Sequence, residues 1–517
     1  MASRFGIRGR VAASYGGQTY VVILGLAITP IFFRYLGPSA YGLVGIFTMI
    51  QQWLQLLDGG FSATLARETT RYGSGQTTAE HYRSLVILLS RIFLGTALAF
   101  VIVGLIGSEW IASHWLKTGN LPRREVWEAL AIIIITAGIR WRTEPYRSVI
   151  IGFEHTVWLN AVTSFFATIR YVGAALLVVF VTHLFIYFFL YQLICAALEA
   201  AIVIYKAYSL VPSRHSIGGK SVSLPSLKPF LRFAASVAIT AILSSGAWQV
   251  DKVILSRLLP LRDYGVFTLA IVAATGVSLL SMPVNQALSP RLTALKSLGR
   301  DDEFRQLYRR STSFVSALIG PACMCLVAFG PQVIWVWTGD AVTAAAAAPI
   351  VRWYAIGEFF AAFIAFTYYL QYAYGNLRLH VIGSAAFFVC ILPCVYLAAM
   401  RFGAVGTGFV WFAANAVYLG IWSYIVHRRF EFQLRWTWFY RDIMVTALPG
   451  VVICVLAAQL RLPWYGNRIT ALGMLLAVGL VSVMSCMALV PGARVVATAV
   501  LSRMGGAIRQ ATHRGYL

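Results

Sequence analysis

Residues 84–107 read SLVILLSRIFLGTALAFVIVGLIG, and the charged side chain in this stretch is Arg91. A helix of about 20 apolar residues crosses the roughly 30 Å hydrocarbon core of a bilayer, so the stretch predicts a transmembrane helix. Thirteen other stretches of this character occur, at 11–36, 39–66, 124–150, 155–181, 184–207, 229–260, 264–290, 311–331, 346–374, 379–400, 404–427, 438–460 and 468–490. We therefore expect an all-α polytopic membrane protein with about 14 transmembrane helices.

The overall composition agrees with membrane insertion. Hydrophobic residues make up 59% of the chain, charged residues make up 12%, and the mean hydropathy is +0.75. These values exclude a soluble multidomain protein. The formal net charge of +24 does not indicate nucleic-acid binding, because no basic run with interleaved aromatics forms a soluble module. The seven cysteines lie inside apolar stretches, and we expect them, Cys390 and Cys394 included, to be small buried packing residues rather than metal ligands.

Basic residues are distributed unevenly between the two sides of the predicted helices. When those near a helix end are counted with the adjoining connection, the termini and the even-numbered connections hold 29 of the 42 Lys and Arg residues, and the opposite side holds 9. Such an excess marks the cytoplasmic side. We therefore expect a multi-pass protein of the bacterial inner membrane with both termini in the cytoplasm.

A polar connection at 208–228 divides the chain. It is rich in Ser, Gly, Pro and Lys, the composition of a flexible linker. The predicted domains are an N-lobe with helices 1–6 and this linker (1–227), a C-lobe with helices 7–12 (228–430), an appended helix pair (431–490) and a basic amphipathic cytoplasmic tail (491–517).

A short motif of the first half recurs in the second half. Arg34-Tyr35-Leu36 followed by Tyr41-Gly42 matches Arg257-Leu258-Leu259 followed by Tyr264-Gly265, each where the first helix of a half ends. Since six is an even number of helices, both halves enter the membrane the same way up. We expect two six-helix lobes, related by a parallel pseudo-twofold repeat around a central cavity, that rock against each other.

Ionisable side chains inside the apolar stretches are the candidate functional residues. A charge at the bilayer centre costs about 3 kcal/mol on insertion scales, so such a group faces a protein interior or a hydrated cavity. We predict cavity cations that bind substrate and carboxylates that couple an ion. The cations are Arg34, Arg91, Arg170, Lys252, Arg257 and Arg352, and the carboxylates are Asp58, Asp251 and Glu358. The alternatives are internal ion pairs and, for Arg34 and Arg257, snorkelling to the outer headgroups.

Two pairings bear on these roles. Adjacent residues of a helix point about 100° apart, so we expect Asp251 to be a poor partner for Lys252. Glu358 is a lone carboxylate in the tenth stretch, and Arg352, six residues earlier, is its candidate partner.

The sequence does not predict an enzyme. External connections are short, and neither an HExxH pair nor a nucleophile–base constellation occurs. Gly219-Lys220-Ser221 looks like the end of a phosphate-binding loop, but position 214, where that loop needs glycine, holds Arg214. We expect no cofactor and no metal.

Four stretches resemble a known family. Residues 35–42 (YLGPSAYG), followed by 56–61 (LLDGGF) and Arg67, look like the opening of the polysaccharide-transporter group in the multidrug/oligosaccharidyl-lipid/polysaccharide (MOP) exporter superfamily. Residues 251–255 (DKVIL), which lead into Tyr264-Gly265, resemble that family's seventh helix, and residues 151–154 (IGFE) resemble its turn after the fourth helix.

The resemblance implies a flippase of the O-antigen (Wzx) type. Such a protein translocates undecaprenyl-pyrophosphate-linked oligosaccharide from the cytoplasmic to the periplasmic leaflet by ion-coupled alternating access, through a cationic cavity between two lobes. By position, Arg34, Arg91, Lys252 and Arg257 carry over as cavity cations. The implied partners are the lipid-linked oligosaccharide, membrane lipids, and polysaccharide polymerase and chain-length machinery, without nucleic acid.

Three alternatives stay open. Fourteen helices also fit a lipid II-type flippase, and the intramembrane acids fit a cation-coupled multidrug exporter of the same superfamily. The alternative from another class is a membrane glycosyltransferase, polymerase or ligase.

Overall fold

A computed structural model describes residues 7–58, 60–212, 246–460, 464 and 466–490. Within these ranges the chain forms helices and connecting turns, without a β-strand. In chain order the main helices are α1 (Ile7–Leu57), α2 (Phe61–Gly73), α3 (Ala79–Trp110), α4 (Arg123–Gly152), α5 (Thr156–Thr168), α6 (Phe185–Leu210), α7 (Val250–Leu258), α8 (Leu261–Thr275), α9 (Met282–Ser297), α10 (Asp301–Thr338), α11 (Ala341–Ala373), α12 (Arg378–Phe430), α13 (Thr446–Gln459) and α14 (Arg468–Met487).

The expected all-α polytopic architecture is confirmed. Ten helices of the described ranges are long and apolar enough to cross a membrane. Two of them, Gly16–Gln55 and Arg378–Phe430, contain 40 and 53 residues, about twice the length that one crossing needs. Each breaks at a glycine with positive φ, Gly37 at 83° and Gly403 at 57°, a backbone conformation that other residues rarely adopt. The two breaks coincide with the gaps between the paired apolar stretches of the sequence.

Other helices are extended by irregular turns. A π-helical turn, Ile169–Gly173, follows α5, and a 3₁₀ turn, Gly276–Leu280, separates α8 from α9. Pro283 lies in the first turn of α9, where its missing N–H is not needed. Three regions singled out in the sequence lie wholly or partly outside the described residues: the linker beyond 212 with the predicted lobe boundary, the seventh stretch before 246, and the tail at 491–517.

The chain divides into two compact units. Among the described residues, unit 1 comprises those within 1–269 and 384–407, and unit 2 comprises those within 270–383 and 408–490.

In unit 1, the two copies of the Tyr-Gly motif pack against each other. A Cβ atom added to Gly42 would lie 2.4 Å from the carbonyl oxygen of Leu261, so glycine is required for this approach. Tyr41 and Tyr264 are both buried beside the contact. The connection after α3 reaches the same region, because the Nζ of Lys117 donates to the carbonyl of Leu258 over 2.7 Å.

In unit 2, α10 is packed against α11, α13 and α14. The segment before α13 is fixed to α10 by a two-bond ion pair: the Nε of Arg309 lies 2.7 Å from Oδ2 of Asp442, and its Nη2 lies 2.9 Å from Oδ1. Asp442 is buried, whereas 31% of the Arg309 side chain is exposed, so the pair is partly shielded from water.

The expectation for the cysteines is wrong for two of them. Cys390 and Cys394 are exposed on α12, whereas Cys195, Cys323, Cys454 and Cys486 are buried. Cys390 and Cys394 are one helical turn apart, so they share one face of α12. This helix also carries many exposed apolar residues.

Candidate functional site

A cavity of about 240 Å³, lined by charged, polar and apolar residues, lies inside unit 1. Its charged lining comes from Arg140, Glu144 and Arg147 of α4, Arg170 of the turn after α5, and Glu199 of α6. Three arginines and two glutamates leave one surplus positive charge in this lining. Gln51, Gln55, Thr143 and Thr163 add neutral polar groups.

The helix geometry of α4 explains why its charges converge. Positions 140, 144 and 147 are spaced by four and then three residues, so all three side chains lie on one helix face. The neighbouring residues Ala137 and Trp141 line the same cavity. The fourth apolar stretch therefore carries a charged stripe along an otherwise apolar helix.

Arg147 is held by acids and a hydroxyl group. Its Nη2 is hydrogen-bonded to Oε1 of Glu199, and its Nη1 donates to the hydroxyl of Thr163 over 3.1 Å. Its Nε lies 3.8 Å from Oε1 of Glu144, an ion pair beyond hydrogen-bond distance. Glu199 is buried, with 10% of its side chain exposed, whereas 36% of the Glu144 side chain is exposed.

Arg140 has unused hydrogen-bonding capacity. Its Nη1 donates to Oε1 of Gln51 over 2.8 Å, and its guanidinium carbon lies 5.4 Å from the ring centroid of Phe47. Its Nε and Nη2 are buried and have no hydrogen-bond partner within the described residues. These two groups form the side edge of the guanidinium, which binds phosphate or carboxylate with two parallel hydrogen bonds.

Arg170 is the one predicted cation that the structure places in this cavity. It lies in the π-helical turn Ile169–Gly173, and its guanidinium carbon is 5.1 Å from the ring centroid of Tyr171. Single π-turns within α-helices are frequent at functional sites, because the extra residue redirects a side chain.

Four other predicted cations lie apart from this cavity and are exposed: Arg34, Arg91, Arg257 and Arg352. Arg34 lies 5.9 Å from the ring of Tyr35, and Arg257 lies 5.2 Å from the ring of Trp115. The Nε of Arg352 donates to the carbonyl of Val327 over 3.3 Å, so this arginine hydrogen-bonds to α10.

The expectation that Asp251 is a poor partner for Lys252 is wrong. Oδ1 of Asp251 accepts the backbone N–H of Lys252 over 2.8 Å and lies 3.6 Å from its Nζ. Both residues lie in the first turn of α7, where a carboxylate folds back to cap free backbone N–H groups. The same Nζ also donates to the carbonyl of Trp248.

The other predicted coupling acids lie in different places. Asp58 follows α1 at the break before α2, and its Oδ1 accepts the hydroxyl of Ser62 over 2.7 Å. Glu358 is buried in α11 of unit 2, and its Oε2 accepts the hydroxyl of Ser278 over 2.7 Å. Ser278 belongs to the 3₁₀ turn after α8.

Sequence reasoning did not select Arg140, Arg147 and Glu144 as site residues. Arg140 and Arg147 were counted with the basic residues of the predicted cytoplasmic side, because they precede the fourth connection of the chain. The 140–144–147 spacing within an apolar stretch was the available signal, since it is the helical period.

Comparisons with known proteins identify the family and the fold. A family model described as "Polysaccharide biosynthesis protein" matches residues 31–347, more than half of the chain. No curated protein matches the sequence. Among solved structures, an inward closed conformation of the lipid II flippase MurJ is 13% identical with a TM-score of 0.70, and the alignment covers 91% of this chain and 98% of that one.

Two further structures are transporters. An inward-facing multidrug resistance transporter of the MATE family is 16% identical with a TM-score of 0.63, covering 80% of this chain and 94% of that one. A MOP superfamily transporter from Pyrococcus furiosus is 14% identical with a TM-score of 0.54, covering 82% and 95%. The chain therefore belongs to the polysaccharide biosynthesis protein family, and it shares the fold of these transporter structures.

Proposed function

We propose that this protein is a flippase for lipid-linked oligosaccharide. Its substrate would be an undecaprenyl-pyrophosphate-linked repeat unit of O-antigen or another surface polysaccharide. The protein would move this substrate from the cytoplasmic to the periplasmic leaflet of the bacterial inner membrane by alternating access of its N- and C-lobes, without chemical conversion. Polysaccharide polymerase and chain-length machinery would receive the product.

The observation that carries this proposal is the arginine-lined cavity inside unit 1. A pyrophosphate needs charged hydrogen-bond donors to replace its water within a membrane. The side edge of Arg140 offers two such donors, which have no partner in the part of the chain that the structure describes. Arg170 adds a second cation, and the lining as a whole has more arginines than glutamates. Family membership supports an intermediate of polysaccharide synthesis as the ligand.

The same cavity argues against the multidrug alternative. A cationic drug would be repelled by a lining with surplus positive charge, whereas an anionic headgroup would be attracted. A lipid II-type substrate also carries a pyrophosphate, so it remains the second candidate, supported by the likeness to a structure of that flippase.

The remaining sequence predictions complete the proposal. Glu358 is the candidate for ion coupling because it is a buried carboxylate beside an irregular helical turn. Roles in substrate binding for Arg34, Arg91, Arg257 and Arg352, and in coupling for Asp58 and Asp251, stay predictions. For Lys252, the contacts with Trp248 and Asp251 favour a structural role over the predicted role in substrate binding.

The test is a gene deletion. We expect lipid-linked glycan to accumulate on the cytoplasmic leaflet, measured by its protection from a membrane-impermeant periplasmic glycosidase. Complementation with Arg170→Gln should restore less than a tenth of export, whereas Arg124→Gln, at an exposed arginine of α4 outside the cavity, serves as the matched control and should restore most of it. If no lipid-linked glycan accumulates in the deletion strain, the protein does not transport one.

A further inference from the structure

Glu144 and Glu199 flank the same arginine but are held differently. Glu199 makes a direct hydrogen bond to Arg147 and is buried, so this pair supports the wall between α4 and α6. Glu144 lies 3.8 Å from the Nε of Arg147 and lines the cavity with a larger exposed fraction. Glu144 is thus the more loosely held of the two carboxylates.

Arg140, whose Nε and Nη2 have no hydrogen-bond partner among the described residues, lies on the same helix face as Glu144. Arg140 is one helical turn before Glu144, and Arg147 is almost one turn after it, so the carboxylate lies between the two guanidinium groups along α4. An anion that occupied both arginines would have to replace Glu144 at Arg147. An anion that bound the Arg140 edge alone would keep Glu144 as a negatively charged neighbour.

We propose that Glu144 is the specificity-determining residue of this cavity, where it occupies the place of a second phosphate and selects diphosphates over monophosphates. This inference rests on the proposed function, because it assumes that the cavity receives a pyrophosphate headgroup. One phosphate binds the Nε and Nη2 of Arg140, and the other takes over the Nε of Arg147 from Glu144. A monophosphate gains the first contact without the second, and the carboxylate repels it.

The test uses the purified full-length protein in lipid nanodiscs with two soluble probes, geranyl diphosphate and geranyl monophosphate. Calorimetry should show that the wild-type protein binds the diphosphate at least about tenfold more tightly than the monophosphate. Glu144→Gln keeps the side-chain size and removes the charge. It should tighten monophosphate binding and reduce the preference for the diphosphate severalfold.

Two variants separate this role from general charge effects. Arg140→Gln should weaken diphosphate binding by about 10- to 100-fold, the size expected for charge-assisted hydrogen bonds. Glu128→Gln is the matched control, because Glu128 also lies on α4 and pairs with an arginine, Arg124, at 2.9 Å outside the cavity. It should leave the affinity ratio unchanged.

The outcomes distinguish this inference from the proposed function. An unchanged ratio in Glu144→Gln, or equal weakening of both probes, would overturn the specificity role of Glu144 while the export assay still decides whether the protein is a flippase. Wild-type protein that binds neither probe also overturns it. Melting temperatures of the ligand-free variants should stay close to that of the wild type, which excludes misfolding as the cause.

Discussion

Gly42 and Gly265, which occupy matching positions in the two copies of the Tyr-Gly motif, pack backbone to backbone. A Cβ added to Gly265 would lie 1.9 Å from the carbonyl oxygen of Pro38 and 3.1 Å from the nitrogen of Gly42. A Cβ added to Gly42 would lie 3.4 Å from the nitrogen of Gly265. The motif that repeats in the sequence therefore marks a contact between its own two copies.

This contact should not tolerate a side chain at position 265. Gly265→Ala forces a methyl group against a backbone carbonyl that cannot rotate away, so the two segments must separate. We expect a melting temperature lowered by several degrees and a loss of most glycan export. Gly95→Ala is the matched control, because nothing lies within 4 Å of its added Cβ. If Gly265→Ala and Gly95→Ala had equal melting temperatures and equal export, the close approach at position 265 would contribute to neither stability nor export.

The ion pair between Arg309 and Asp442 should stabilise unit 2. Asp442→Asn leaves the partly buried guanidinium without its charged partner, and we expect a loss of roughly 2 to 3 kcal/mol of stability. The measurement is thermal unfolding in detergent together with the amount of protein in the membrane. Arg310→Gln serves as the control, because Arg310 is the exposed neighbour of Arg309. An Asp442→Asn variant as stable as the wild type would mean that the ion pair does not contribute to the stability of unit 2.

Contacts of Lys252 favour a structural role over direct substrate binding. Its Nζ bonds the carbonyl of Trp248 and lies 3.6 Å from Asp251, so Lys252→Ala should lower the amount of folded protein about twofold or more. Export per molecule of inserted protein should stay near the wild-type value. Abundant protein that no longer exports glycan would instead place Lys252 in the substrate path.

The sequence was informative about the membrane crossings because lipid imposes a simple rule. A crossing helix needs about 20 apolar residues, and a break such as Gly37 or Gly403 is visible between two such stretches. The site was harder to predict from the sequence, since packing sets the rotation of each helix about its axis and so decides which side chains face a cavity. Arg170 and Arg91 are both lone charges in apolar stretches, but one lines a cavity and the other is exposed.

The topology can be tested with reporter fusions. A phosphatase that is active only in the periplasm should be inactive when fused within 208–228 and active when fused within 463–467. This expectation follows from the basic excess on the even-numbered connections and the termini. A cytoplasmic fluorescent reporter at the same two positions is the reciprocal control. The opposite result at either position would contradict the predicted orientation.

Glu358 should make transport depend on pH if it couples an ion. It is buried in α11, where it accepts a hydrogen bond from Ser278, and Cys323 of α10 is a titratable neighbour from another helix. Arg352, its candidate partner, is exposed, and its Nε donates a hydrogen bond to the carbonyl oxygen of Val327. Glu358→Gln keeps a group that can accept the Ser278 hydrogen bond but cannot ionise, so it should flatten the pH profile of glycan flipping in proteoliposomes.

A second variant separates ionisation from packing at this position. Ser278→Ala removes the hydrogen bond to Glu358 but leaves the carboxylate, so transport should keep its dependence on pH, with an altered midpoint. The rate is measured at several pH values with and without a proton gradient, at equal amounts of inserted protein. A pH profile of Glu358→Gln that matches the wild type would make Glu358 a buried hydrogen-bond acceptor that joins α11 to the turn after α8.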